Sequence, residues 1–358
     1  MSTASKHFLI MAGGTGGHVF PGLAVAEELK RLGHKVSWMG TRSGIEASLV
    51  PAAGIPIHYI EISGVRGKGV RGLLQAPAKI LQAINQSKAL LRELKPDCVL
   101  GMGGFASGPG GMAAKLLKIP LVIHEQNAVA GTTNRILSRF ANAVLEAFQG
   151  TFPNRRGAKH VGNPVRKSLV GITHMTDHTA DLKLLVLGGS QGAKAINEII
   201  PEVVKTLDFT LDVWHQTGKS HLDDVEKRYG EETLSMKSIE LFPFIDDMAE
   251  AYAWADLVIC RSGAMTVSEL AAAGVPALFI PFPHAIDDHQ TANARWMERQ
   301  GAAEIIPQQE LNASVLRHHL KRLNKRREIL DKMRGRAKSL GIHDAAANVA
   351  RTCIEVAL

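Results

Sequence analysis

Aromatic residues make up only 5% of this 358-residue sequence, and cysteine occurs three times. So few stacking side chains argue against a nucleic-acid platform, whatever the charge of the chain. Cys98, Cys260 and Cys353 are odd in number and show no metal-ligand spacing, so neither a disulfide scaffold nor a cysteine metal site is expected. No apolar run approaches the roughly 18 residues that span a bilayer. Lys6 is a lone charge before a short apolar stretch, too little for a secretory signal. The expectation is a cytoplasmic chain. With 45% hydrophobic residues and a mean hydropathy of zero it reads as globular, and its length predicts two domains with separate cores.

The net charge of +8 is unevenly spread. Residues 1–160 carry 19 Lys/Arg against 8 Asp/Glu, whereas the rest carry 23 against 26. A basic half beside a near-neutral one suggests that one domain meets an anionic surface; a solvated face is the plainer alternative.

Short apolar runs alternate with helical patterns along the whole chain, as a parallel sheet requires. Strands are predicted at Phe8–Met11, Val36–Met39, Ile57–Ile60, Cys98–Leu100, Leu121–Ile123 and Ala143–Leu145. The second half repeats the plan at Lys183–Leu187, Leu211–Gln216, Ser238–Leu241, Leu257–Ile259, Ala277–Ile280 and Ala303–Ile306. Two strands run into glycine loops that open helices: Ala12-Gly13-Gly14-Thr15-Gly16-Gly17-His18, and Gly188-Gly189-Ser190-Gln191-Gly192-Ala193. Such loops bring backbone N–H groups to an anionic ligand. The pattern predicts two Rossmann-like α/β domains with parallel sheets facing a cleft: residues 1–163, residues 164–340, and a closing helix in 341–358 that could pack on either.

The first loop is not a dinucleotide fingerprint. Counting from Gly14, the third glycine falls on Val19, and the second strand ends without an acidic residue. No Gly-Lys-Ser/Thr follows, so it is no Walker loop either. What remains suits close approach by a diphosphate. His18, at the mouth of a helix, is suited to act as a general base or to position a hydroxyl, and Glu125 after a strand is the rival base. Thr15 offers a hydroxyl to the same ligand. In the second half, Arg261-Ser262-Gly263-Ala264-Met265-Thr266-Val267-Ser268-Glu269 combines a helix N-terminus with a carboxylate able to accept both hydrogens of a ribose diol.

The glycine loops Gly13–His18, Gly101–Gly111 and Gly188–Ala193, with His124-Glu125-Gln126-Asn127, Gly162-Asn163-Pro164-Val165-Arg166 and Arg261–Glu269, resemble the MurG family of N-acetylglucosaminyltransferases over essentially the whole chain. The resemblance implies a GT-B fold and inverting β-1,4 transfer of GlcNAc from UDP-GlcNAc to lipid I, undecaprenyl-pyrophosphoryl-MurNAc-pentapeptide, giving lipid II. By motif it implies donor contacts at Thr15, Gly16, Gly17, Asn127, Arg166, Ser190, Ile245, Ala264, Met265, Thr266, Val267, Ser268, Glu269 and Gln290. Ile245 would meet uracil through its backbone. Some members carry two adjacent glutamines where this chain has His289-Gln290; the Gln-x-x-Asn spacing to Asn293 selects Gln290. No Asp-x-Asp pair is present, so no metal or other cofactor is expected, and the helix N-termini with Arg166 or Arg261 would carry the diphosphate charge.

A bilayer-anchored acceptor gives the basic half a reason. The loop Val65–Leu74 mixes cations with apolar residues and is expected to touch an anionic membrane, at the cytoplasmic face of the plasma (inner) membrane. The stripe Ile80, Leu81 and Ile84 that follows is expected to be core. Two other readings stand beside this one: a UDP-GlcNAc 2-epimerase of the same fold, and a non-catalytic nucleotide-sugar binder.

Overall fold

The computed structural model describes residues 4–62, 69–152, 157–174, 181–189, 192–236 and 238–358, apart from the side chains of 69–75, 235, 236 and 286. The chain divides into two compact units: Met1–Val165 with Asp344–Leu358, and Arg166–His343.

In the first unit the order is β1 (His7–Met11), α1 (Gly16–Arg31), β2 (Lys35–Gly40), α2 (Glu46–Ala52), β3 (Ile57–Tyr59) and α3 (Gly69–Leu94). Then come β4 (Cys98–Gly101), α4 (Ser107–Leu117), β5 (Leu121–Glu125), α5 (Thr132–Leu137), β6 (Ala143–Glu146) and β7 (Lys159–His160). The sheet is parallel, in the order β3-β2-β1-β4-β5-β6-β7. Thus β7, which the sequence pattern did not suggest, closes the edge beside β6. Strand β1 shows why both sheet faces need cover. Phe8 and Ile10 enter one core with Val25 and Leu29 of α1, and Leu9 and Met11 enter the other with Ala113 and Ala114 of α4. A strand buried on both faces reads as a continuous apolar run, which is why it was legible.

The second unit repeats the plan with β8 (Leu182–Leu187), α6 (Lys194–Lys205), β9 (Leu211–Gln216), α7 (Leu222–Tyr229), α8 (Glu231–Met236), β10 (Ile239–Phe242) and α9 (Met248–Trp254). It continues with β11 (Leu257–Cys260), α10 (Ala264–Ala273), β12 (Ala277–Phe279), α11 (His289–Arg299), β13 (Ala303–Ile305), α12 (Ala313–Lys325) and α13 (Arg327–Leu340). Its parallel sheet has the order β10-β9-β8-β11-β12-β13. The last helix, α14 (Ala345–Val356), returns to the first unit, where Val349, Ala350 and Cys353 join the core beneath α1 and β4.

In both sheets the strand order reverses beside the first strand, between β1 and β4 and between β8 and β11. Two neighbouring loops diverge there and leave a crevice at the strand ends, the place where ligands bind in open α/β sheets. The glycine loops sit at these two reversals.

Helix α3 corrects an expectation. Its buried face is Ala76, Ala83, Ser87 and Leu91, while Ile80 is 40% and Leu81 60% exposed. Small residues let α3 lie close to α4, and the larger Ile80 and Leu81 are left facing water. Among the described residues no helix is long and apolar enough to cross a membrane.

Candidate functional site

In the first unit, β1 ends at Met11 and the chain turns through Gly14, with φ 91°, to reach Thr15 at the start of α1. Thr15 Oγ1 lies 3.2 Å from His18 Nδ1 across the first helical turn. The N–H groups of Gly16 and Gly17 belong to the first turn and have no helical carbonyl behind them. The loop after β4 presses on this arrangement. A Cβ on Gly103 would lie 2.7 Å from His18 Cδ2, and one on Gly104 would overlap the Gly13 carbonyl. The Ser107 hydroxyl, 2.8 Å from the Met11 carbonyl and 2.7 Å from that of Gly103, ties the two loops together.

Glu125 ends β5, 3% exposed, with both oxygens engaged. Oε1 accepts from the Asn127 backbone and side-chain amides at 3.1 and 3.3 Å; Oε2 accepts from Gly131 N–H and Asn134 Nδ2, both at 3.0 Å. This carboxylate organises the loop 126–131, and a base would need one of those bonds released. Its neighbour His124 is fully buried, and burial lowers its pKa to about 4, against the raising effect of the Gly162 carbonyl. Neutral His124 therefore donates from Nε2 to that carbonyl at 2.9 Å and accepts from Gln126 Nε2 on Nδ1 at 3.0 Å. Asn127 is thus presented by a built loop, its carbonyl also accepting from Thr151 Oγ1 at 3.1 Å.

In the second unit Ser190 falls outside the described residues, as do residues 63–68 of the basic loop in the first. At the other side of the reversal, Gly263 caps α10 in an extended conformation, with no side-chain cap and no acidic residue in the first turn. The opening N–H groups of α10 have no intrahelical acceptor, and Ala264, Met265 and Thr266 stand at that end. Val267 turns inward: its side chain is in the core and its N–H donates to the Gly263 carbonyl, so the structure does not bring it to the site. Ser268 and Glu269 lie one turn on. Glu269 Oε2 accepts from the Tyr252 hydroxyl at 3.3 Å, and Arg166 lies 3.9 Å from Oε1. Burial raises the Glu269 pKa, while Arg166 and the Tyr252 hydroxyl pull it back. Tyr252, itself pushed well up by burial, was not found in the sequence; nothing local marks a tyrosine on α9 as the support for a carboxylate on α10.

Arg261 corrects another expectation. Its guanidinium donates to the carbonyls of Ile280 (2.9 Å) and Pro281 (3.2 Å) and to Gln308 Oε1 (2.6 Å), and it covers the Phe282 ring. It braces the end of β12 and does not reach for a phosphate. Arg166, 58% exposed, is the arginine that stands with Glu269. Gln290 Oε1 accepts from Phe282 N–H at 2.9 Å, and the Gln290 backbone carbonyl accepts from Ser262 Oγ at 2.8 Å. The Ile245 N–H donates to Gln216 Oε1 at 3.1 Å, so a uracil contact through its backbone falls to the carbonyl. Among the described residues no three His, Cys, Asp or Glu side chains are grouped to hold a metal ion.

Residues 8–146 match the glycosyltransferase family 28 N-terminal domain and residues 183–349 the family 28 C-terminal domain. The UDP-N-acetylglucosamine–N-acetylmuramyl-(pentapeptide) pyrophosphoryl-undecaprenol N-acetylglucosamine transferase of Methylococcus capsulatus is 51% identical over 357 residues, 99% of each chain. The transferase of the same name from Aeromonas hydrophila is 51% identical over 355 residues, 99% of this chain and 98% of that one. The crystal structure of Acinetobacter baumannii MurG is similar with a TM-score of 0.86 at 42% identity, covering 98% of this chain and 99% of that one. A UDP-GlcNAc 2-epimerase from Neisseria meningitidis shares the fold at 15% identity, with a TM-score of 0.68.

Proposed function

The chain belongs to the MurG family within glycosyltransferase family 28, and on that premise we infer how its residues share the reaction. It is a UDP-GlcNAc-dependent hexosyltransferase that moves GlcNAc to the C4 hydroxyl of MurNAc in lipid I, with inversion and a β-1,4 linkage, and so makes lipid II for peptidoglycan.

We assign the donor to the second unit and the acceptor to the first. The observation that carries the donor assignment is the uncapped N-terminus of α10 with Glu269 one turn behind it, backed by Tyr252. The helix end takes the diphosphate and Glu269 the ribose diol. The Ile245 carbonyl meets uracil, and Gln290 and Asn127 hold the GlcNAc. In the transfer step the acceptor C4 oxygen bonds to the anomeric carbon as the bond to UDP breaks. The proton goes to His18, and the electron pair leaves with the diphosphate. A base role at His18 Nε2 requires the tautomer in which Nδ1–H donates to Thr15 Oγ1. Glu125, with four donors on its two oxygens, holds the loop that carries Asn127 and is not the base.

No metal is required in this reading. Negative charge building on the leaving group meets preorganised N–H dipoles and Arg166, and one such donor is worth about 3 kcal/mol in a dry site. Full activity in EDTA is expected; complete loss there, restored by Mg²⁺ or Mn²⁺, overturns the proposal. The decisive assay is transfer of labelled GlcNAc to a lipid I analogue. Conversion of UDP-GlcNAc to UDP-ManNAc without acceptor would instead make the protein an epimerase.

We place the protein peripherally on the cytoplasmic face of the plasma (inner) membrane, where lipid I presents its head group. Support comes from exposed apolar residues on three helices of the first unit, Ile80 and Leu81 on α3, Leu116 on α4 and Ile136 on α5, interspersed with exposed Lys79, Lys115, Lys118, Arg135 and Arg139. Each such cation near an anionic leaflet is worth about 1 kcal/mol. The partners are UDP-GlcNAc, lipid I and the anionic lipid surface, with no nucleic acid.

A further inference from the structure

Glu46 opens α2, far along the chain from the first glycine loop, yet it is 0% exposed and its carboxylate is the hub of that loop. Gly14 N–H donates to Oε2 at 2.9 Å; Thr41 donates to Oε1 from its N–H at 2.9 Å and from its hydroxyl at 2.8 Å. Three donors converge on two oxygens, a set that a carboxylate satisfies and an amide does not, because one end of an amide is itself a donor. The surrounding backbone is cleared for this one side chain: a Cβ on Gly13, Gly40 or Gly44 would collide with it. Trp38 Nε1–H also donates to the Ala12 carbonyl at 2.9 Å, but from Gly14 onward Thr15 makes no side-chain cap and the first turn of α1 holds no acidic residue. From the opposite side Gly103 and Gly104 press on His18 and Gly13.

We propose that Glu46 is a positioning residue for glycosyl transfer: by holding the Gly14 N–H it fixes the turn from which the Thr15–His18 pair projects. The inference rests on the transferase reading above, and it assigns a role to a residue that touches no substrate. A displacement of about 1 Å at a reacting group costs on the order of 100-fold in rate.

The test compares Glu46→Gln with Thr41→Val in the full chain. Glu46→Gln turns an N–H toward either Gly14 or Thr41, whereas Thr41→Val removes one donor and leaves the Gly14 bond intact. For transfer to a lipid I analogue, kcat per folded molecule is expected to fall about 100-fold in Glu46→Gln and to stay within about threefold of wild type in Thr41→Val. The affinity for UDP, measured by calorimetry, should hold within about twofold in both, because the groups assigned above to uracil, ribose and diphosphate (Ile245, Glu269 and the start of α10) are in the other unit. Equal kcat for the two variants overturns the inference, as does a loss in Glu46→Gln matched by lost UDP binding. If Glu46→Gln folds too poorly for kinetics, Glu46→Asp carries the test. It keeps the charge but is one methylene short of bridging Gly14 and Thr41, and an unchanged kcat there overturns the inference equally. Absence of transfer by the wild-type protein would sink the transferase reading itself, a different outcome from an active wild type with an indifferent Glu46 variant.

Discussion

His215 lies wholly buried in β9 and should make the second unit acid-labile to a calculable extent. Its Nε2–H donates to Asn197 Oδ1 and its Nδ1 accepts from the Tyr229 hydroxyl, both at 3.1 Å, so the neutral ring is fully satisfied. Burial lowers its pKa to about 3. A base with a folded pKa below its unfolded value of about 6.5 holds fewer protons when folded, so stability is complete above that pH and drains as pH falls toward the folded value. From pH 7.5 to 5.0 the loss is about 2 kcal/mol, with a slope that approaches roughly 1.36 kcal/mol per pH unit below the unfolded pKa. Replacing His215 with Gln removes the titration. At pH 7.5 the variant should be less stable by about 1–3 kcal/mol, from the disturbed buried hydrogen bonds. At pH 5.0 that deficit should shrink by about 2 kcal/mol or reverse. Urea unfolding followed by tryptophan fluorescence suits the comparison, because Trp214 and Trp254 stack in this unit with ring centroids 4.5 Å apart. The lowered pKa of His174 is common to both proteins and cancels. Parallel stability curves across this pH range, or a deficit that widens in acid, would refute the reasoning.

His18→Ala should lower kcat with little change in donor KM, whereas Glu269→Ala should chiefly raise donor KM; steady-state kinetics showing the converse pattern reverses both assignments. Gly104→Ala meets a backbone φ of 79° as well as the Gly13 carbonyl, so a stability loss of more than about 1 kcal/mol and a sharp fall in kcat are expected from denaturation curves and initial rates. Exchanging Ile80 and Leu81 for Asp should reduce sedimentation with anionic vesicles without shifting the melting temperature, since both side chains face water; unchanged sedimentation counts against a membrane role for α3.

Strands buried on both faces and glycine turns at the strand-order reversals were readable because each is set by local chemistry. The α10 segment was readable for the same reason: Gly263, Thr266 and Glu269 fall within two helical turns. What escaped depends on contacts made across the fold. Glu46 meets Gly14 from 32 positions away, and Tyr252 meets Glu269 from a different helix. Arg261 looked like a phosphate ligand because it precedes a glycine turn, but its side chain runs to the carbonyls that end β12. Helix α3 misled in the opposite direction. Ile80 and Leu81 face outward, and the buried face beside them is built from Ala76, Ala83 and Ser87, which a hydrophobicity pattern ranks low, before Leu91.

The return of α14 to the first unit has a consequence for biogenesis. That unit is assembled from two separated stretches of chain, and its sheet lacks part of its cover until residues 344–358 have left the ribosome. The second unit is continuous in sequence, so its own core is complete without residues 344–358. A chain that ends before Asp344 should therefore fold a protease-resistant second unit and leave the first unfinished, the reverse of their order along the sequence.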